Sequence, residues 1–203
     1  MAGADARAGP PFIGLTGGIA AGKSEALRAL ERLGAATLSS DEVVRELLES
    51  DEARDELVAR LGPQVAPEGR VDRDAVAKLV FERPDDRAWL EGYLWPRVGQ
   101  RVADWREAEM RRDPPARASV VEVPLLFESG MESVFDHTIA VTAEEDTRAE
   151  RAGERGHVGL ASREARQLGQ DEKAERADFA VRNDGTLEDL ERSLADVLEK
   201  IEA

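Results

Sequence analysis

The chain has 203 residues, 41% hydrophobic and 35% charged, which is enough apolar content to bury a core. It contains no cysteine and two histidines, His137 and His157, so a disulfide scaffold, a thiolate nucleophile, a thiolate zinc site and a His-rich metal centre are all excluded. The formal net charge of −15 repels nucleic-acid backbones and anionic membranes, so an anionic ligand must be held by a local cluster of cations.

Residues 1–10, MAGADARAGP, have no apolar stretch and read as a flexible tail rather than a signal peptide. No run of about 18 apolar residues occurs anywhere, so no membrane span and a cytoplasmic location are expected. Phe12 to Thr16 predicts a buried first strand. It breaks at Gly17-Gly18, and a helix follows from Lys23 to Leu33, stopped by Gly34. Ala35 to Leu38 predicts a second strand. Asp41 to about Arg60 has helical spacing, with Val43, Val44, Leu47 and Leu48 on one side. Gly62-Pro63 is a break. Further helices are expected over Arg73 to Phe81, Asp85 to Leu94 and Pro96 to about Arg111, followed by a linker at Asp113-Pro114-Pro115.

Ala118 to Val123 predicts the third strand and Phe135 to Thr142 the fourth. Helices are expected from Glu144 to about Arg155 and from Ser162 to Gln170, a short fifth strand over Asp178 to Val181, and an amphipathic helix from Leu187 to Ile201. Strands alternating with helices predict an α/β fold with a parallel sheet. The helical stretch from about 42 to 117 is too long for a simple crossover and reads as an inserted subdomain.

Gly17 to Ser24 fits G-x-x-x-x-G-K-[ST], placed after a strand and opening a helix. In such a loop, Gly18, Ile19, Ala20, Ala21 and Gly22 turn backbone N–H groups around phosphate oxygens, and the helix N-terminus adds its positive end. Lys23 reaches the β- and γ-phosphates, and Ser24 offers its hydroxyl to Mg²⁺. Ligands of an open parallel sheet bind beyond the carboxyl ends of its strands. Asp41 follows strand two and Glu122 ends strand three, where a carboxylate can order Mg²⁺ or, for Asp41, take a proton from an acceptor hydroxyl. The plainer alternatives are a helix cap at Ser39 to Asp41, with Glu42 at capping-box spacing, and an ordinary polar strand end at Glu122. Arg148, Arg151 and Arg155 share one helical face, and Arg163 and Arg166 follow. They read either as cations for a transferring phosphoryl group or as a solvated face paired with Glu144, Glu145, Glu150 and Glu154.

Together these segments resemble the dephospho-coenzyme A kinase family. The resemblance rests on Thr16-Gly17-Gly18-Ile19 leading into the phosphate loop, Asp41 after strand two, Phe81 and Trp95-Pro96, and Pro124-Leu125-Leu126-Phe127-Glu128. It continues through Arg151 and Arg155, Gln170, Ala177-Asp178 and Asn183-x-Gly185. It implies a P-loop kinase core with a five-stranded parallel sheet flanked by helices, a helical acceptor-binding insertion and a helical lid. By its boundaries, residues 11–41, 118–146 and 173–203 form the core, 42–117 the insertion and 147–172 the lid. It implies transfer of the γ-phosphate of ATP to the ribose 3′-hydroxyl of dephospho-CoA, giving CoA and ADP. Asp41 would be the base, with Lys23, Arg151 and Arg155 also catalytic. Gly18 through Ser24, with Glu25 and Asn183, would bind ATP, and Ser24 would ligate Mg²⁺, with Glu122 a candidate through a water. Asp41, Trp95, Pro124, Leu125 and Glu128 would meet the acceptor. A monomer or small homo-oligomer with no nucleic-acid partner is expected. The alternatives are another P-loop small-molecule or nucleotide kinase, or an inactive ATP-binding paralogue. Three residues depart from the family pattern: Glu25 stands where Thr is usual, Glu122 replaces Asp, and Trp95 replaces His.

Overall fold

The structure, a computed structural model, describes residues 9–154 and 167–203. Five parallel strands form one sheet: β1 (Phe12–Gly17), β2 (Ala36–Ser39), β3 (Ser119–Glu122), β4 (His137–Thr142) and β5 (Phe179–Arg182), in spatial order β2-β3-β1-β4-β5. All neighbouring pairs are parallel, with β1 at the centre between β3 and β4. Such strands are covered on both faces, which is why β1 is buried at every position rather than alternating.

On one face, Ile13 and Leu15 of β1 pack with Val120, Ile139, Val141 and Val181 against two helices. These are α1 (Lys23–Arg32), through Ala26, Ala29 and Leu30, and the C-terminal helix α8 (Leu187–Glu202), through Leu190, Leu194, Val197 and Leu198. Gly34, at φ +94°, ends α1: its N–H reaches Glu31 O and the Ala35 N–H reaches Leu30 O, both at 3.0 Å. On the other face, Gly14 leaves room for Phe135 and Leu126, since a Cβ there would lie 2.9 Å from the Phe135 ring. Helix α7 (Gln170–Arg176) packs against β1 and β4. The charged helix α6 (Glu145–Glu154) follows β4.

The chain divides into two compact units, residues Ser40–Trp105 and the remainder. The smaller unit is helical: α2 (Ser40–Leu48), α3 (Asp51–Leu61), α4 (Arg73–Glu82) and most of α5 (Pro84–Met110). Leu48, Leu57, Leu61, Val65, Val76 and Leu94 form its own core.

Two helix boundaries differ from the sequence expectation. The helix expected from Asp41 to Arg60 is two helices, because Ser50 caps a new start: its hydroxyl accepts from the Ala53 N–H at 3.2 Å and donates to Leu47 O at 2.8 Å. Conversely, the helices expected on either side of Trp95 are one. Pro96 removes the N–H that would bond to the Gly92 carbonyl, but Leu94, Val98 and Val102 are buried at four-residue spacing across it and carry the helix through. Helix α7 was not expected. Residues 162–166 of the helix expected from Ser162 to Gln170, most of the expected tail and Arg155, Arg163 and Arg166 lie outside the described residues, while residues 167–169 are not helical and Gln170 instead begins α7, after Gly169 at its N-cap. Among the described residues, no helix is long and apolar enough to cross a membrane.

Helix α8 starts with a capping box, in which the Thr186 hydroxyl accepts from the Asp189 N–H and the Asp189 carboxylate accepts from the Thr186 N–H. Thr186→Ala should lower unfolding free energy by about 1 kcal/mol. The check is a urea melt, where the midpoint should fall with an unchanged slope.

Candidate active site

The site is built on the meeting of β1 and β4. Gly17 closes β1 with φ +152°, and a Cβ there would lie 2.2 Å from the Val141 carbonyl oxygen of β4, so only glycine fits. The chain then turns through Gly18 to Gly22 and enters α1 at Lys23. Gly22 caps that helix at φ +96°, in the left-handed region, with a would-be Cβ 2.1 Å from Asn183 Nδ2. Ala20 is also left-handed, at φ +59°.

The protein holds this loop by its carbonyls. Lys23 Nζ donates to Gly17 O at 3.2 Å and to Gly18 O at 2.9 Å. Arg148 Nε of α6 donates to Ile19 O at 2.9 Å. Asn183 Nδ2 donates to Ala21 O at 2.9 Å from a side chain only 4% exposed. With carbonyl oxygens turned to protein donors, the loop is set to offer anions its N–H groups. Arg151 Nη1 donates to Asn183 O at 3.1 Å, so two arginines of α6 converge on the loop and its support. Gln170 completes the frame: its side-chain amide accepts from the Ala143 N–H at 3.1 Å and donates to Ala143 O at 2.8 Å, just past β4.

The sequence-predicted residues fall as follows. Lys23, Arg151 and Asn183 come together around the loop. Asn183 lies beneath it, its amide committed to Ala21. Ser24 is exposed in the first turn of α1. Glu25 turns its carboxylate to Arg28 at 2.8 Å and Arg32 at 3.7 Å, so the charge that departs from the family pattern is answered along its own helix. Glu122 ends β3 with 6% exposure, in register with Leu15 of β1 and Ser39 of β2. Among the described residues no three His, Asp or Glu cluster to hold a metal ion. A hydroxyl and one buried carboxylate still fit Mg²⁺ in a nucleotide site, where substrate phosphates and waters supply most of the ligands.

Pro124 to Glu128 form a turn after β3 in which Leu126 and Phe127 are buried and Leu125 is half-buried. Pro124 O accepts from Thr16 Oγ1 at 3.3 Å, and Glu128 Oε1 accepts from the Leu168 N–H at 2.9 Å. In the helical unit, Asp41 sits in the first turn of α2, two residues beyond β2, and Trp95 on α5 is 51% exposed.

Three contacts around the site are not legible in the sequence. Spacing places Arg148 among the candidate phosphate cations on the helix face but gives no sign that it bonds the loop itself, at Ile19 O. Gln170 entered only as part of the resemblance. Lys173 was not singled out at all; it is completely buried, with its ammonium 3.0 Å from Glu128 Oε1. Burial pulls this lysine below its ordinary range, while Glu128 pushes it back up. The one available signal was rarity, since the chain has only four lysines, one of them in the phosphate loop.

The chain is 40% identical over 188 residues to a dephospho-CoA kinase of Moorella thermoacetica, covering 92% of this chain and 88% of that one. It is 39% identical to a dephospho-CoA kinase of Geobacter metallireducens, covering 90% and 92%. The crystal structure of TT1252 from Thermus thermophilus superposes with a TM-score of 0.78 at 33% identity, covering 95% of this chain and 98% of that one. A model of the dephospho-CoA kinase family matches residues 11–189, and the chain belongs to that family.

Proposed function

We propose a division of labour for the reaction of this family, transfer of the γ-phosphoryl group of ATP to the ribose 3′-hydroxyl of dephospho-CoA. Gly18 through Ser24 bind the triphosphate, with Lys23 on its β- and γ-phosphates. Arg151 and Arg155 meet the transferring group, and Arg148 fixes the loop that receives it. The observation that carries the reading is the convergence of Lys23 and Arg148 on one glycine-framed loop, with Arg151 on its support Asn183, in a chain of net charge −15. Ser24, and Glu122 through a water, would hold Mg²⁺, which would supply charge neutralisation to the triphosphate.

Phosphoryl transfer passes through a loose transition state, so the protein contributes mainly positioning and electrostatics. Asp41 is the general base on the acceptor hydroxyl. Its support is its place in the first turn of the helix that leaves β2, beyond the carboxyl end of a strand. The Pro124–Glu128 turn lines the acceptor site, and Trp95 supplies an exposed aromatic face for the acceptor. Asn183 acts by holding Ala21, and Glu25 contributes its backbone to the first turn of α1 rather than a charge to the phosphates. A cytoplasmic location is part of the same reading, because ATP is the phosphoryl donor.

Purified protein incubated with ATP, Mg²⁺ and dephospho-CoA should give CoA, identified by mass spectrometry; ATP binding without 3′-phosphorylated product would overturn the reading. Asp41→Asn should lower kcat by about 10²–10⁴-fold while ATP affinity stays within about twofold, and normal turnover would remove Asp41 as the base. Gly22→Ala should push Asn183 out of place and weaken ATP binding by about tenfold or more, read by titration calorimetry.

A further inference from the structure

Lys173 is the largest fully buried side chain among the described residues. Burying an ammonium is costly unless it is paired and hydrogen-bonded. Its partners are specific: Nζ donates to Pro124 O at 2.6 Å and pairs with Glu128 Oε1 at 3.0 Å. Pro124 O also accepts from Thr16, the residue before the phosphate loop begins at Gly17. Glu128 Oε1 also accepts from the Leu168 N–H, on the backbone that leads into α7. One ammonium therefore joins the end of β1, both ends of the Pro124–Glu128 turn and the approach to α7. Three residues before it on the same helix, Gln170 clamps Ala143 beyond β4.

The residue type is informative. This chain carries 24 arginines against four lysines, yet keeps a lysine here. The place offers a carbonyl and one carboxylate oxygen. The five donors of a rigid guanidinium would leave buried N–H groups unsatisfied, whereas a compact ammonium fits. The grip is also one-sided. Glu128 Oε1 takes both the Lys173 and Leu168 bonds, while Oε2 is buried with no hydrogen-bond partner.

We propose that Lys173 is a positioning residue for the phosphoryl acceptor: by holding Pro124 O and Glu128 Oε1 from within the fold, it fixes the Pro124–Glu128 turn in the shape against which dephospho-CoA binds. The proposal rests on the reading of that turn as acceptor-lining. Lys173 itself touches neither substrate, and the phosphate loop keeps its own supports in Lys23, Arg148 and Asn183.

The test compares Lys173→Met, Lys173→Arg, Glu128→Gln, their Lys173→Met/Glu128→Gln combination and Leu125→Ala. The readouts are KM for dephospho-CoA, Kd for ATP and thermal midpoint. Lys173→Met should raise KM for dephospho-CoA about tenfold or more with Kd for ATP within about twofold, and Lys173→Arg should not rescue it. The double variant should be no worse than Lys173→Met alone, since both remove the same interaction. A lowered thermal midpoint with unchanged KM would make the pair purely structural and overturn the proposal, as would equal losses for both substrates. If Lys173→Met does not fold, Glu128→Gln carries the same expectation: a raised KM supports the proposal and an unchanged one overturns it. Leu125→Ala separates the two layers. A raised KM there with normal KM in Lys173→Met overturns the positioning role alone, whereas an unchanged KM in Leu125→Ala overturns the acceptor reading and the proposal with it.

Discussion

The close approach of β1 and β4 at Gly17 is the constraint on which the rest depends. No side chain fits there, because the Val141 carbonyl occupies the space a Cβ would need. The sheet order also turns at this pair: β1 connects to β2 on one side, while β4 connects to β5 on the other. The chain leaving β1 must therefore become a loop above the strand ends, at the position where α/β sheets bind ligands. The same crowding recurs at Gly22 against Asn183. Between them Ala20 holds a left-handed conformation that costs about 1 kcal/mol, which persists because Lys23, Arg148 and Asn183 hold its neighbours.

Charge is organised around that loop in two ways. Across the surface, arginines pair with nearby carboxylates, as Arg28 does with Glu25 and Arg192 with Asp189, and such exposed pairs contribute little to stability. At the loop, Arg148 and Arg151 instead reach backbone carbonyls. A carbonyl orients a guanidinium without cancelling its charge. This lets an acidic protein keep a cationic spot beside the loop. Lys173 follows a third pattern: its charge is matched by Glu128 inside the fold, so it organises the turn after β3 without adding to the surface potential.

The three departures from the family pattern have different physical weight. Glu25 is settled within α1 by Arg28 and Arg32. Glu122 keeps a buried carboxylate at the strand end, one methylene longer than an aspartate. Trp95 trades an imidazole for a half-exposed aromatic surface, which can pack on a ligand but cannot exchange a proton with it.

Local pattern by itself determined the five strands, the phosphate loop, the stop at Gly34 and the apolar stripe of α8, because each is written in neighbouring residues: a period, a glycine at fixed spacing, a run of valines. The phosphate-loop motif marked Lys23 and the family resemblance marked Asn183, and the structure brings both to the loop carbonyls. Where two local signals compete, pattern alone failed. Ser50 caps a new helix inside an unbroken helical period, and Pro96 is overridden by the apolar face it interrupts. The tertiary structure alone decided the strand order, the reach of Arg148 to Ile19 across 129 residues and the burial of Lys173 under Pro124, 49 residues away. Contacts of that range depend on which surfaces pack together, and no period in the chain records whether a given arginine faces water or a loop, or whether a lysine is buried.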